Sequence, residues 1–190
     1  MTEDKVLELM EELGALHGGH FLLSSGLHSD RYFQCARILQ FPELARELGA
    51  AMGSFFPDLA IDLVVSPAMG GILIGPEVAR ALGRRFVFSE RKDGEMIIRR
   101  GFTMEKGEKV VIAEDVVTRG TSLLEVIDVV EKAGGEVVGL TSIIDRTSGE
   151  VELPLPLHSL AKVVVQTWEA DGCPLCKSGA ELVKPGSRGN

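Results

Sequence analysis

Residues 110–122 read VVIAEDVVTRGTS, and the residue types in this order point to chemistry. Val110 to Ala113 have the length and β-branched content of a buried strand. Glu114 and Asp115 follow at once, then Val116 and Val117, then the polar run Thr118, Arg119, Gly120, Thr121 and Ser122. A helix pattern starts after that. Leu124, Ile127, Val130 and Ala133 make an apolar stripe, and Gly134-Gly135 ends it. Ser122 and Glu125 stand at the spacing of a capping box.

A loop that feeds a helix N-terminus presents free backbone N–H groups and the positive end of a dipole, which suits a phosphate. Gly120 lets the backbone approach, and Thr118, Thr121 and Ser122 add hydroxyl donors. Glu114 and Asp115 would repel a phosphate; beside one they suit hydroxyls or a hard divalent cation. The implied ligand is a sugar phosphate, with its phosphate on the loop and its diol on the acids. Each feature taken singly fits a capped helix after a buried strand with two solvated acids. The whole run is more specific than that. It is not a Walker-type loop, because the chain contains no G-x-x-x-x-G-K-[ST].

Other stretches carry candidate groups. Ser66-Pro67-Ala68-Met69-Gly70-Gly71 joins a strand pattern to a helix pattern and is a second potential anion loop. Its alternative is a plain strand-to-helix connection. ERKDGEMIIRRG, from Glu90, is the most charged stretch and centres on a turn at Asp93-Gly94. It reads as a solvated hairpin or as a lid bringing Arg91 and Lys92 to an anion. Asp145-Arg146 ends another strand pattern; it is either a surface ion pair or, through the arginine fork, a carboxylate binder. Tyr32 and Phe33 are adjacent in a strand pattern, so one packs inward and the other is free to stack on a flat ligand. His17 and His20 read as a turn with exposed imidazoles. Cys173-Pro-Leu-Cys176 is half a zinc site, with Cys35 the only other cysteine. With no further ligand in view, inert or weakly reactive thiols are the expectation.

The elements that must position these groups alternate. Helix patterns cover 2–16, Pro42–Phe56, about 72–82 and the stretch after Ser122. Strand patterns cover His20–Leu23 and Arg31–Cys35 as a hairpin, then Ile61–Val65, Arg85–Ser89, Val110–Ala113, Glu136–Ile144 and Ala161–Thr167. Pro42 sits at a helix first turn, and Leu153 to Leu157 is a Pro-rich connector. The alternation predicts an α/β fold, a central parallel five-stranded sheet flanked by helices. At 190 residues the chain fits one domain. A formal net charge of −8 argues against nucleic acid or an anionic membrane as partner. The acidic, amphipathic N-terminus is no signal peptide, and no apolar run is long enough to span a bilayer. Three cysteines suit a reducing cytoplasm.

The run from Val110 to Ser122 resembles the phosphoribosyl-pyrophosphate motif of the type I phosphoribosyltransferases nearly residue for residue. The hairpin residues FLLSSG with a following aromatic pair, and Asp145-Arg146, are similar to the orotate phosphoribosyltransferases within that fold. The resemblance implies a single domain: an N-terminal helix and hood hairpin (1–40), a core (41–168) and a C-terminal tail (169–190) that adds to the hood. It implies transfer of the phosphoribosyl group of phosphoribosyl pyrophosphate to orotate, giving orotidine 5′-monophosphate and pyrophosphate in pyrimidine biosynthesis.

By the same resemblance, Glu114 to Ser122 (with Val116, Val117 and Arg119) and Ala68, Met69, Gly70 and Gly71 bind the donor. Arg91, Lys92 and Asp115 are catalytic. Thr118, Arg146, Tyr32, Phe33 and Ser24 face the orotate. Mg2+ is held mainly by substrate, with Glu114 and Asp115 the protein candidates. A homodimer with shared active sites follows, the lid reaching the neighbour. Where many members carry lysines this chain has Ser24 and Gly70, its lid looks shorter, and Arg99 and Arg100 are the candidate replacements. The alternatives are a phosphoribosyltransferase for another base and a non-catalytic sensor of the sugar phosphate.

Overall fold

The computed structural model describes residues 1–23, 26–147, 149 and 151–185; Ser24, expected to face the base, lies outside them. In chain order the elements are α1 (Glu3–Glu12), β1 (Leu16–Leu22), β2 (His28–Phe33), α2 (Ala36–Leu39), α3 (Pro42–Gly53), β3 (Leu63–Pro67), α4 (Gly71–Leu82), β4 (Arg85–Lys92) and β5 (Glu95–Ile98). Then come β6 (Lys109–Val117), α5 (Thr121–Lys132), β7 (Glu136–Asp145), β8 (Leu157–Lys162), β9 (Thr167–Trp168), α6 (Pro174–Lys177) and β10 (Leu182–Val183).

Apolar periodicity accounts for the large sheet. Its strand order is β5-β4-β3-β6-β7-β8. The five strands from β4 to β8 pair in parallel, as expected, and β5 adds an antiparallel edge. Central parallel strands are covered on both faces and need apolar residues at every position. Val110, Val111, Ile112 and Ala113 of β6 are accordingly all fully buried. One face packs against α1, α3 and α4 through Val6, Met10, Leu48, Met52, Ile74 and Val78. The other packs against α5 through Leu123, Val126, Ile127 and Val130. Burying each such side chain contributes about 1.5–3 kcal/mol before entropy is charged against it.

From β3 the chain winds outward to β4, then crosses back to place β6 on the other side of β3. The crevice at the carboxyl ends of β3 and β6 is therefore the topological switch point, where open α/β sheets bind ligands. A second sheet, ordered β10-β1-β2-β9, forms the hood from the N-terminal hairpin and the C-terminal segment.

Several boundaries differ from the sequence reading. The hairpin strands begin earlier, and His17 to His20 lie within β1, with an irregularity between Gly18 and Phe21. His20 is buried rather than exposed in a turn. The last core strand is Leu157–Lys162, not Ala161–Thr167. Val164 is left exposed where the chain departs for the hood, so the apolar run there did not mark a strand. Among the described residues no helix is long and apolar enough to cross a membrane.

Candidate active site

Strand β6 carries both acids into the crevice. It runs on through Glu114 and Asp115 to Val117 because Val116 and Val117 still pair with β7. Glu114 is nearly buried, and burial together with the charge of Asp115 pushes its carboxyl well above the usual range. The Asp115 backbone N–H donates to Glu114 Oε1 at 3.1 Å, and the Val116 N–H donates to Asp115 Oδ1 at 2.8 Å. Asp115 is thereby aimed by its own strand.

Gly120 stands at the N-cap of α5 with φ 69°, and no side chain caps the helix. A Cβ there would lie 2.7 Å from Val151 Cγ1 in a left-handed conformation, so the position requires glycine. The expected capping box does not form. The helix starts two residues earlier, at Thr121, and Glu125 reaches across to pair with Arg91 instead. The first N–H groups of α5 are left for an anion.

The loop after β3 closes the opposite wall. A Cβ on Gly70 would fall 2.4 Å from the Asp115 carboxylate, so this loop lies directly on the acid. The Ala68–Met69 peptide is cis.

Two adjoining cavities result. The larger, about 880 Å3, is lined by Ala68, Met69, Glu90, Arg91, Glu114 and the whole run Val116 to Leu123, with Arg146 and Thr167. The smaller, about 530 Å3, is lined by Tyr32, Phe33, Gln34, Met69, Gly70, Asp115, Thr118 and Arg146. Met69, Val116, Thr118 and Arg146 border both. Phe33 is the inward member of the aromatic pair, and Tyr32 is half-buried with its hydroxyl donating to Gln34 Oε1 at 2.8 Å.

Arg146 bridges the two spaces. Its guanidinium lies 5.1 Å from the centre of the Phe33 ring, and its buried Nε has no hydrogen-bond partner. Burial lowers its pKa, with Asp30 opposing. Among the described residues no carboxylate forms a salt bridge with it. The surface pair Asp145-Arg146 is absent: Asp145 Oδ1 instead accepts from the Thr147 N–H at 2.8 Å. A half-buried cation with a free fork is poised for an anion, best a planar carboxylate.

The charged stretch is a hairpin of β4 and β5, with Arg91 opposite Met96 and Lys92 opposite Glu95. Asp93 and Gly94 both have positive φ, the two-residue turn that matches strand twist. Arg91 lines the larger cavity, whereas Lys92 and Gly71 line neither. Arg99 and Arg100 turn to Glu90, each at 2.6 Å through Nε, and do not reach the cavities. They hold the Glu90 carboxyl down at about 2.

The hood residues Leu27, Val165 and Thr167 also line the larger cavity, although no sequence signal singled them out. Nor did one single out Glu125 as the partner of Arg91. Its spacing from Ser122 suggested a local role instead.

The phosphoribosyl transferase domain family matches residues 35–168. An orotate phosphoribosyltransferase of Caldanaerobacter subterraneus is 48% identical over 188 residues, covering 99% of each chain. One of Chlorobium phaeobacteroides is 49% identical over 99% of this chain and 97% of its own. The crystal structure of orotate phosphoribosyltransferase from Aeropyrum pernix superposes with a TM-score of 0.68 at 26% identity, covering 83% of this chain and 93% of that one.

Proposed function

The chain belongs to the phosphoribosyltransferase family, and on that premise we propose that it is an orotate phosphoribosyltransferase, a pentosyltransferase of pyrimidine nucleotide synthesis. The reaction moves the 5-phosphoribosyl group of phosphoribosyl pyrophosphate to orotate and yields orotidine 5′-monophosphate and pyrophosphate. The observation that carries the reading is the unpaired Arg146 fork beside an uncapped helix start and two acids. An anion-bearing planar base and a sugar phosphate are the ligands that such a pair of adjoining cavities satisfies.

The roles follow from charge. Thr118 to Ser122 take the 5′-phosphate through backbone N–H groups and hydroxyls. Glu114 and Asp115 take the ribose hydroxyls. Ala68 to Gly71 take the pyrophosphate through main-chain N–H groups. Arg146 and Thr118 place the orotate, with Tyr32 and Phe33 along it. As the ring nitrogen of orotate attacks the anomeric carbon and pyrophosphate leaves, positive charge develops on the ribose and negative charge on the leaving group. Asp115 faces the first and Arg91 the second, so positioning and preorganised charge supply the rate. No side chain is assigned as proton acceptor.

Magnesium fits this site by donor type, because carboxylate and hydroxyl oxygens line the two adjoining cavities, with Glu114 on the larger and Asp115 on the smaller. Asp115 is the better protein ligand, since Glu114 resists ionisation. The bound ion would neutralise leaving-group charge. Lys92, outside the cavities of its own chain, is assigned to the neighbour's site in a homodimer. We place the protein in the cytoplasm, a reading that its three unpaired thiols support.

A panel of orotate, uracil and purine bases assayed for pyrophosphate release tests the proposal. Release with orotate alone is expected. Release only with another base would reassign the substrate, and release with none would favour a sensor.

A further inference from the structure

The hood contains a cluster with no part in the chemistry above. His20 of β1, His28 of β2, Cys173 at the N-cap of α6 and Cys176 within it bring one ligand atom each to within 4.8 Å of one another. Three of the four residues are buried, and all four lie outside the matched residues 35–168. Cys35, the third cysteine of the chain, is not among them.

Three of the separations are close to those of a tetrahedral site. Zn–N bonds of about 2.0 Å and Zn–S bonds of about 2.3 Å place neighbouring N and S atoms about 3.5 Å apart. Cys173 Sγ lies 3.5 Å from His20 Nε2, Cys176 Sγ lies 3.7 Å from the same atom, and Cys176 Sγ lies 3.3 Å from His28 Nδ1. His20 Nε2 and His28 Nδ1 are 2.8 Å apart and need open by only about half an ångström to admit the ion.

The support behind the ligands points the same way. His20 Nδ1 lies 2.9 Å from the Ala180 carbonyl, which accepts its proton and leaves the Nε2 lone pair facing the cluster. Metal-bound histidines are oriented by such carbonyls. Two thiolates and two neutral imidazoles also match the charge of a divalent ion.

The tail needs such a clasp. From Glu169 to Pro185 only Cys173 is buried. The segment follows β9, which pairs with β2, and is itself tied to the hood by the two-residue strand β10 on β1 and by the Ala180 carbonyl at His20. Leu182 and Val183 of β10 stay exposed, so apolar burial contributes little there. Small sheets without a core of their own are commonly stapled by a metal or a disulfide.

We propose that His20, His28, Cys173 and Cys176 form a structural zinc site that clasps the C-terminal tail to the N-terminal hairpin. Two thiolates and two imidazoles in tetrahedral array select zinc over hard cations. Four protein ligands leave no open position, so the ion is structural and not catalytic. Binding releases the two thiol protons, and holding the tail fixes Thr167, through β9, at the edge of the larger cavity.

The test is metal analysis of the full chain, purified untagged and reduced, without chelator. Close to one zinc per chain is expected, retained in Cys35→Ser and lost in the Cys173→Ser/Cys176→Ser double variant. Because misfolding alone would also empty the site in that variant, wild-type apoprotein is also titrated with Co2+ alone. A thiolate-to-cobalt charge-transfer band, with the intense d–d bands of a tetrahedral site, supports the proposal. Two results overturn it: wild-type protein that neither retains zinc nor develops that band, or zinc retained by the double variant.

Discussion

Gly70 and Asp115 are in contact so close that any side chain at position 70 would displace the acid: a Cβ there falls 2.4 Å from all three carboxylate atoms. The loop after β3 lies directly against the acid, and under the proposed function its backbone meets the anion. Gly70→Ala is expected to push Asp115 or the loop aside. Overpacking costs about 1–3 kcal/mol, which as lost transition-state binding is about 5- to 150-fold in kcat/KM. Steady-state kinetics varying the sugar-phosphate donor check this, and an unchanged kcat/KM would separate the loop from the acid.

Asp115→Asn probes the acid without disturbing its support. The Val116 N–H donates to Oδ1 at 2.8 Å, and an asparagine Oδ1 still accepts that bond. The fold is therefore expected to keep its melting temperature. Charge-assisted bonds are worth about 1.5–3 kcal/mol, so kcat/KM for the donor should fall about ten- to a hundredfold or somewhat more. A variant that melts many degrees lower would make Asp115 a structural residue.

Arg146 has no salt-bridge partner among the described residues, and its buried Nε is unsatisfied, so its removal should cost little stability. Arg146→Ala is expected to raise the orotate KM about ten- to a hundredfold through lost charge-assisted bonds. Lysine should not restore it, because an ammonium lacks the planar fork. Kinetics beside a thermal melt distinguish this from an unfolding effect.

The sequence exposed the parallel core because buried strands and helices write long apolar periods, as in Val110–Ala113 and the α5 stripe. It exposed Glu114 to Ser122 because residues consecutive in the chain line the two cavities. It misplaced what depends on contacts distant in the chain. Spacing sets Glu125 with Ser122, three residues away, whereas it pairs with Arg91 on another element. Spacing sets His20 with His17, whereas its partners are His28, Cys173 and Cys176, drawn together only when the tail adds to the hood. Val163 to Val165 looked like a strand because branched residues there serve a crossing segment. Local spacing carries no record of such pairings.

The Glu90 carboxyl is held at about 2, against an ordinary value of 4.5, first by hydrogen bonds from Arg100 and Arg99 and then by their charge. A lowered folded-state pKa means the unfolded chain binds the proton more readily. The pair's contribution is thus complete above 4.5 and is lost as pH falls toward 2. Urea midpoints across that acid range should fall less steeply for Glu90→Gln than for wild type. High salt should narrow the difference, since the arginines are exposed. Parallel slopes for the two proteins would contradict the linkage.

Arg91 is held by Glu125 at the mouth of the larger cavity and also donates to the Gly94 carbonyl at 3.2 Å. To meet a leaving pyrophosphate it must exchange one anion for another, so Glu125 competes with the substrate. Exposed pairs of this kind are worth about 0–1 kcal/mol, which sets the scale of the competition. Glu125→Gln is therefore expected to tighten inhibition by pyrophosphate by no more than about fivefold, with the melting temperature little changed. Arg91→Ala should lower kcat, and adding Glu125→Gln to it should then have no further effect on pyrophosphate inhibition. A double-mutant cycle on the inhibition constant measures this coupling directly. If Glu125→Gln tightens inhibition equally with and without Arg91, the glutamate acts as a general negative field and does not restrain the arginine.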